Sequence, residues 1–545
     1  DDPALSGAAA TGTKAAESAA QSGHATGPGP RGPEPAPDSH RPGPDSHRSG
    51  LRGLVPDLAV VAAAVALVAA AVVIGGAIER EEGTLRVHWP PYYAELEPHL
   101  GPGTPAALLV AAAVLGYGPA LAARLPWRRL LGAAWGASMA WIWSLALVDG
   151  WHRGVANQLT SAYEYLQEVG RFQNVGAALR TFTDHILLHS PGNWVPHVAG
   201  HPPAAVLTFV GLDRVGLGGG PWASAWVITV GSSAAAAVLV ALRALTGEQQ
   251  ARRAAPFLIL APTAVWVGVS ADGYFTAVAS WALALLALSA RSASPRTGPT
   301  GEKGHSAPRA PRTAALCAGL LFGLTCYLSY GLTLCALLGL AVLALSRTLR
   351  PLPWVLAGVA VVAASFTLAG FNWWEGYQLL TERYYEGAAR VRPYSYWVWA
   401  NLACAVTATG PAVVAGARRA LATGAATGRR AAARLQLQLR ERGRGRGREL
   451  GRERERHTDG TVSPPSPHPL GSREKLALLV LAALLTVAVA DLSGMSKAET
   501  ERIWLPFLTW LLPAAALLPR RSARYWLAAQ AAVALLVNHI LLTGW

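Results

Sequence analysis

Cysteine is scarce in this chain and charge is thin, and each scarcity closes a class of function. Four cysteines occur in 545 residues: Cys317, Cys326, Cys335 and Cys404. All lie inside apolar stretches without CxxC or Cys/His metal spacing, so they read as small packing residues. A P-loop and a Gly-rich strand-to-helix turn are both missing, which removes the usual signatures of a sugar-nucleotide or other nucleotide site. Residues 1–50 lack the apolar core of a signal peptide. They are rich in Pro, Gly, Ser and Ala, and Pro37-Asp38-Ser39-His40-Arg41 recurs as Pro44-Asp45-Ser46-His47-Arg48. Such a tract buries too little apolar surface to offset its ordering entropy, so a disordered tail is expected.

What the chain has is apolar length. It is 52% hydrophobic and 14% charged, with many runs near or above the roughly 18 residues that suggest a spanning helix. An all-α polytopic membrane protein follows, with candidate spans 56–78, 105–123, 128–148, 221–242, 254–271, 273–290, 314–329, 331–346, 353–370, 396–415, 474–490, 503–518 and 523–542. That is about 13 crossings. The net charge of +15 would suggest nucleic acid in a soluble protein. Here the arginines cluster between apolar runs, where they act as topology signals, and no nucleic-acid partner is expected.

Arg124/Arg128/Arg129, Arg243/Arg252/Arg253, the linker 291–313, Arg347/Arg350, the linker 416–473 and Arg520/Arg521/Arg524 all fall on one side if the N-terminus is cytoplasmic and 203–217 does not cross. Residues 203–217 carry Asp213-Arg214 and are followed by Gly218-Gly219-Gly220-Pro221, which suits an interfacial element. Upstream, Val155, Leu159, Ala162, Leu166 and Val169, then Val175, Leu179, Phe182 and Ile186, recur at helical spacing and predict two juxtamembrane helices on the outer surface. The expected organisation is a tail (1–50), a transmembrane hairpin (51–127), a core (128–290) with outer loop 149–220, and a linker (291–313). Spans 314–415 follow with an outer aromatic loop 371–395, then the basic linker 416–473, whose Arg429–Arg456 tract reads as a solvated loop, and a C-terminal bundle 474–545.

Three aspartates end apolar runs on the outer side of this topology: Asp149, Asp272 and Asp491. Carboxylates at the mouth of a membrane bundle suggest chemistry on something lipid-borne. The outer segments add Glu501, Arg502 and Lys497 beside Trp504, a substrate contact or an interfacial anchor, and Trp373, Trp374, Arg383, Tyr384 and Tyr385 in the aromatic loop, whose rings suit the C–H faces of sugars or an interfacial belt equally.

Asp149, the surface loop with its juxtamembrane helices, His201-Pro202-Pro203, a spanning pair and then Asp272 together resemble the GT-C superfamily, over roughly residues 128–290. These are integral-membrane glycosyltransferases that take a sugar from a polyprenyl-phosphate carrier. The likeness is to the branch of protein mannosyltransferases and aminoarabinose transferases, where a basic residue before Pro-Pro opens a juxtamembrane helix; His201 stands in that position. The chain departs from the pattern in having Asp149-Gly150 where many members carry an acidic pair, which leaves Asp184 as an alternative first carboxylate.

The resemblance implies an inverting transferase on the outer face of the cytoplasmic membrane, acting on a glycan or lipid acceptor of the cell envelope. Asp149 would be the base and Asp272 the second catalytic acid. His201, Arg502, Lys497 and Arg383 would surround the donor phosphate, with Trp373, Trp374, Tyr384, Tyr385, Glu501 and Asp491 on the substrate. A divalent metal, Mg or Mn, would be a compatible cofactor. The Ala/Arg/Gly/Pro-rich composition suggests a GC-rich bacterial genome, as in actinobacteria. A transporter or flippase of lipid-linked sugars is the first rival, although no internal repeat is evident and the charges sit at helix ends rather than the midplane. A non-catalytic envelope-assembly protein is the second.

Overall fold

The computed structural model describes residues 45–268, 270–293, 310–449 and 470–544. The main compact unit is Gly53–Trp545; of the N-terminal unit, Asp1–Arg52, only helical residues 45–52 are described. The expected tail therefore lies mostly outside the described residues, as do most of the linker 291–313 and residues 450–469.

Helices dominate, as the apolar runs require. α1 (Asp45–Glu82), α2 (Thr104–Arg124) and α3 (Trp127–Ala146) open the bundle. A chain of short turns carries α4 (Val175–Arg180) and α5 (Pro196–Ala199), then α6 (Ala204–Arg214). Next come α7 (Gly220–Ser232) and α8 (Ala234–Leu245), which together make one span, then α9 (Glu248–Ile259), α10 (Ala264–Val267) and α11 (Ala271–Ala293). α12 (Ala310–Leu328), α13 (Cys335–Ser346), α14 (Leu352–Leu368), α15 (Trp373–Glu386), α16 (Tyr394–Thr409) and α17 (Pro411–Glu449) follow. α18 (Ser472–Leu492), α19 (Thr500–Ile503), α20 (Leu505–Leu508) and α21 (Ala523–Ile540) complete the chain. The described strands, β1 (Ala94–Leu96) and β2 (Leu541–Thr543), pair antiparallel with Ala94 opposite Thr543 and tie the first outer segment to the end of α21.

Among the described residues, seven helices are long and apolar enough to cross a membrane, or nine if each of two sharply bent pairs counts as one span. The other expected crossings fall on shorter or broken elements, except 523–542, which is the unbroken 18-residue α21 and is not among the seven. The run 254–271 is divided because α9 ends at Ile259 and Pro262 cannot donate a backbone N–H to continue it. The run 503–518 breaks into α19, α20 and a 3-10 turn, Leu512–Leu517, with Pro506 and Pro513 each at a fresh start. α16 and α17 meet at 110°. Gly410 there has φ 83°, and an added Cβ would press on the Gln530 amide. That amide satisfies groups the break exposes, donating to the Thr409 carbonyl and accepting from Ala412 N at 3.2 Å.

Three further expectations change. Residues 155–172 form short π and 3-10 turns rather than one helix, although Val155, Leu159, Phe182 and Ile186 are buried as the spacing requires. The aromatic segment 371–395 contains a helix, α15, bent 77° from α14. The basic tract after 416 is helical to Glu449. α6, at eleven residues, spans only about 16 Å and is too short to cross.

The two ends of the bundle differ in charge. At one, Arg252 donates to the carbonyls of Ala122 (2.7 Å) and Leu125 (2.9 Å), Arg253 to that of Leu518, and Arg473 to that of Leu517 (3.0 Å). Fully buried Asp57 of α1 lies between Arg418 and Arg419, at 2.6 Å from each. This is the arginine pole. Asp149, Asp272 and Asp491 lie at the other ends of their spans, and their pole is covered by the segments 85–103, 149–203, 371–393 and 493–503.

Candidate functional site at the acidic pole

Arg502, in the short helix α19, is the centre of this pole. Its Nη1 meets Asp272 Oδ2 at 2.7 Å, and its Nη2 meets Glu499 Oε2 at 2.6 Å and His197 Nε2 at 3.1 Å. Asp272 sits in the first turn of α11, where backbone N–H groups favour a carboxylate; Ser270 Oγ also donates to it at 3.0 Å. The guanidinium has no lone pair to give, so His197 Nε2 must accept and the ring proton belongs on Nδ1. That nitrogen faces Glu164 Oε1 at 3.1 Å. Three carboxylates, Asp272, Glu499 and Glu164, thus surround one permanent cation. Asp272 and Glu164 come from distant parts of the chain and Glu499 from three residues before the arginine, and the second oxygen of Glu164 is buried without a partner among the described residues.

Burial opposes charge throughout this group, and pairing decides the outcome. Burial would raise Glu499, yet Arg502 and Arg392 hold its carboxyl below the usual range. Glu164 is likewise lowered, its burial outweighed by the His197 ring and the Arg502 charge. Arg502 would lose affinity for its proton through burial, but Glu499, Asp272 and Glu164 raise it above the ordinary value. Glu499 reaches Arg502 from a turn in which Ala498 (φ 80°) and Glu499 (φ 62°) are both left-handed, a conformation that costs a non-glycine residue energy and concentrates at functional sites.

His201 adjoins this group, its ring 6.4 Å from that of His197 and 5.8 Å from Phe275, with Nδ1 bonded to the His197 carbonyl at 2.8 Å. The resemblance implied a cation here. Instead, burial holds the imidazole neutral, down to about 4, so it serves as a neutral polar group. Glu501 is buried, with one carboxylate oxygen lacking a partner among the described residues, and burial, with Glu499 beside it, pushes its carboxyl up to about 7.

These two groups have opposite consequences for stability. Between about pH 4 and 6.5 the unfolded chain binds a proton at His201 that the folded protein refuses, so stability falls on acidification, by roughly 3 kcal/mol in the limit. Between 4.5 and about 7 the folded protein holds a proton on Glu501 that the unfolded chain releases, so stability rises on acidification. The two offset each other between about pH 4.5 and 6.5. The thermal midpoint of Glu501→Gln should therefore drop on acidification through this window, and that of His201→Gln should climb. Parallel pH profiles for the two variants would contradict both assignments.

Asp149 belongs to a second group. It ends the span Trp127–Asp149, and its Oδ1 lies 2.8 Å from His99 Nε2, with the two side chains 10% and 18% exposed. His99 Nδ1 faces the Glu97 carbonyl at 2.7 Å. Both ring nitrogens meet acceptors, so either the ring carries two protons or the carboxyl carries one: the pair shares a proton. The stacked His539 ring, 6.4 Å away, bonds Thr104 at 2.9 Å. Asp184 is an exposed residue of a 3-10 turn.

The other candidates are dispersed. Asp491 accepts from Asn401 at 2.9 Å. Arg383 donates to the carbonyls of Ile186 (2.9 Å) and Trp194 (3.2 Å), and Lys497 Nζ to that of Ala389 (2.9 Å). Both cations, expected on a donor phosphate, staple the covering segments together. Tyr384 accepts from Lys497 N at 3.0 Å, and Tyr385 lies under the Lys497 ammonium, 5.4 Å from it. Trp373 donates to the Cys326 carbonyl at 2.9 Å and stacks on Tyr377, whereas Trp374 is exposed.

Asp272, His201 and Arg502 are thus brought together, with Asp149 in its own pair. Sequence reasoning missed Glu164, His197, Glu499 and His99. His197 carries a usable signal, four residues before His201 and hence one helical turn away. Among the described residues, no three of His, Cys, Asp and Glu are grouped as metal ligands. No family model, curated protein or solved structure matches the chain.

Proposed function

We propose that the protein is a membrane glycosyltransferase that moves a sugar from a polyprenyl-phosphate donor to a glycan or lipid acceptor of the cell envelope, at the outer face of the cytoplasmic membrane. The reading keeps about 13 crossings, with the two bent pairs, the short apolar elements Tyr330–Ser346 and Leu505–Leu517, the broken run 254–271 and α21 all counted as spans. The observation that carries it is the buried convergence of Asp272, Glu499, Glu164 and His197 on Arg502 at the pole that also holds Asp149. Desolvating four ionisable groups and an arginine is costly, and within a membrane bundle such residues mark a functional site.

In this reading the acceptor hydroxyl oxygen attacks the anomeric carbon while its proton passes to Asp149, and the bond from that carbon to the phosphate oxygen breaks. The polyprenyl phosphate leaves on the opposite face with the bonding pair, so the anomeric centre inverts. Arg502 receives the departing charge by exchanging Glu499 for phosphate, and the left-handed turn at Ala498–Glu499 lowers the cost of letting Glu499 go. His201, neutral, contributes hydrogen bonding rather than charge.

The test is the purified protein in vesicles with polyprenyl-phosphate sugar labelled in the sugar and an envelope extract as acceptor. A new glycosidic bond with release of polyprenyl phosphate is the expected result. Movement of intact labelled lipid between leaflets, with no bond formed, would replace this reading by transport.

A further inference from the structure

The arginine pole contains a cleft unrelated to the candidate site. It has a volume of about 830 Å³ and is lined by Gln249, Gln250, Arg253, Arg473, Arg520 and Arg521. The last three arginines are exposed. The acids nearby are already occupied: Glu474 pairs with Arg430 at 2.9 Å and accepts from Gly471 N at 2.9 Å, while Glu248 pairs with Arg243 and Arg252. The cleft therefore keeps an excess of positive charge. The starts of α9 and α18 both border it, adding the partial positive charge of two helix ends.

Gln250 supplies an independent observation. Its side chain is 3% exposed, lines the cleft, and has an amide oxygen position without a partner among the described residues. A side-chain amide carries N–H₂ donors as well as its oxygen, so Gln250 adds a neutral hydrogen-bond donor to the wall. The cleft shares Gln249, Arg253 and Arg520 with a neighbouring pocket of about 550 Å³, where Glu248 and Arg252 stand beside the apolar walls Pro119, Ala123, Pro256, Phe257, Ala515 and Leu527. A charged cleft next to a largely apolar pocket matches an amphiphile.

We propose that this cleft binds the phosphodiester headgroup of an anionic membrane lipid, with part of an acyl chain in the adjoining pocket. Arg520 and Arg521 hold the phosphate, Arg253 and Arg473 fix the walls by gripping the Leu518 and Leu517 carbonyls, and Gln250 donates the remaining hydrogen bond. The binding is independent of any transfer at the other pole.

The full chain in a zwitterionic detergent would be titrated with short-chain phosphatidylglycerol, phosphatidylcholine of the same chains, and inorganic phosphate, reading the thermal midpoint and the bound mass by native mass spectrometry. One phosphatidylglycerol is expected to stay bound and raise the midpoint, with phosphatidylcholine and phosphate far weaker. Arg520→Gln/Arg521→Gln should weaken phosphatidylglycerol by about thirtyfold, each basic side chain contributing roughly fivefold. Arg429→Gln/Arg434→Gln, on the exposed face of α17, should change nothing. Equal binding of the two lipids, equal binding of free phosphate, or equal loss in both double variants would overturn the proposal.

Discussion

Arg502→Gln should cost the fold about 3–5 kcal/mol, because removing one partner of a buried ion pair leaves the other charge uncompensated. Asp272 and Arg502 are 3% and 6% exposed, so water cannot readily replace the guanidinium on Asp272. Part of the loss should return when Asp272→Asn and Glu499→Gln are added to Arg502→Gln, since the triple variant buries neutral amides in place of anions. Thermal and chemical denaturation in a fixed detergent would measure both effects. A cost of less than about 1 kcal/mol, the range of an exposed pair, would show that the group is hydrated and remove it as the organising centre of this pole.

Asp149→Asn should reduce transfer by about 10²–10⁴-fold, the usual contribution of a general base, while the folded yield stays unchanged. The local geometry makes this a clean substitution. An asparagine amide can donate to His99 Nε2 while His99 Nδ1–H keeps the Glu97 carbonyl, so every hydrogen bond of the pair survives with both groups neutral. Only the capacity to accept a proton is lost. Normal transfer by this variant in the vesicle assay would take the base away from Asp149 and send the search to Glu164, whose free oxygen is next in line.

How much of this was legible in the sequence follows from the range of the interactions involved. The apolar runs are local, and they foretell α1, α2, α3, α11, α12 and α18 to within a few residues at most ends. The helix at 373–386 was also visible in principle, since Trp373, Tyr377, Leu380 and Tyr384 recur at helical spacing, but dense aromatics and charges suit a loop equally well. Breaks such as Gly410-Pro411 depend on what supports them. The exposed carbonyl of Thr409 is tolerable only because Gln530 arrives from far along the chain. The same limit governs the site. Asp272 and Arg502 stand out as charges beside apolar runs, yet that they are paired depends on folding across more than two hundred residues. Nothing local marks Glu164 as the partner of His197, or predicts that burial makes His201 neutral where the family resemblance implies a cation.

The double clamp on Asp57 has a consequence for the order of assembly. Arg418 and Arg419 lie 361 and 362 residues after it. At about 5–20 residues per second, the ribosome takes roughly 20–70 s to make them after Asp57 has emerged. Over that interval α1, most of whose apolar stretch stays unburied even in the finished bundle, can stand in lipid by itself, but its carboxylate has no counter-ion. Asp57, near the end of the helix, must wait in the watery boundary until α17 arrives. α1 is therefore made well before α17 but locked in place only when α17 arrives.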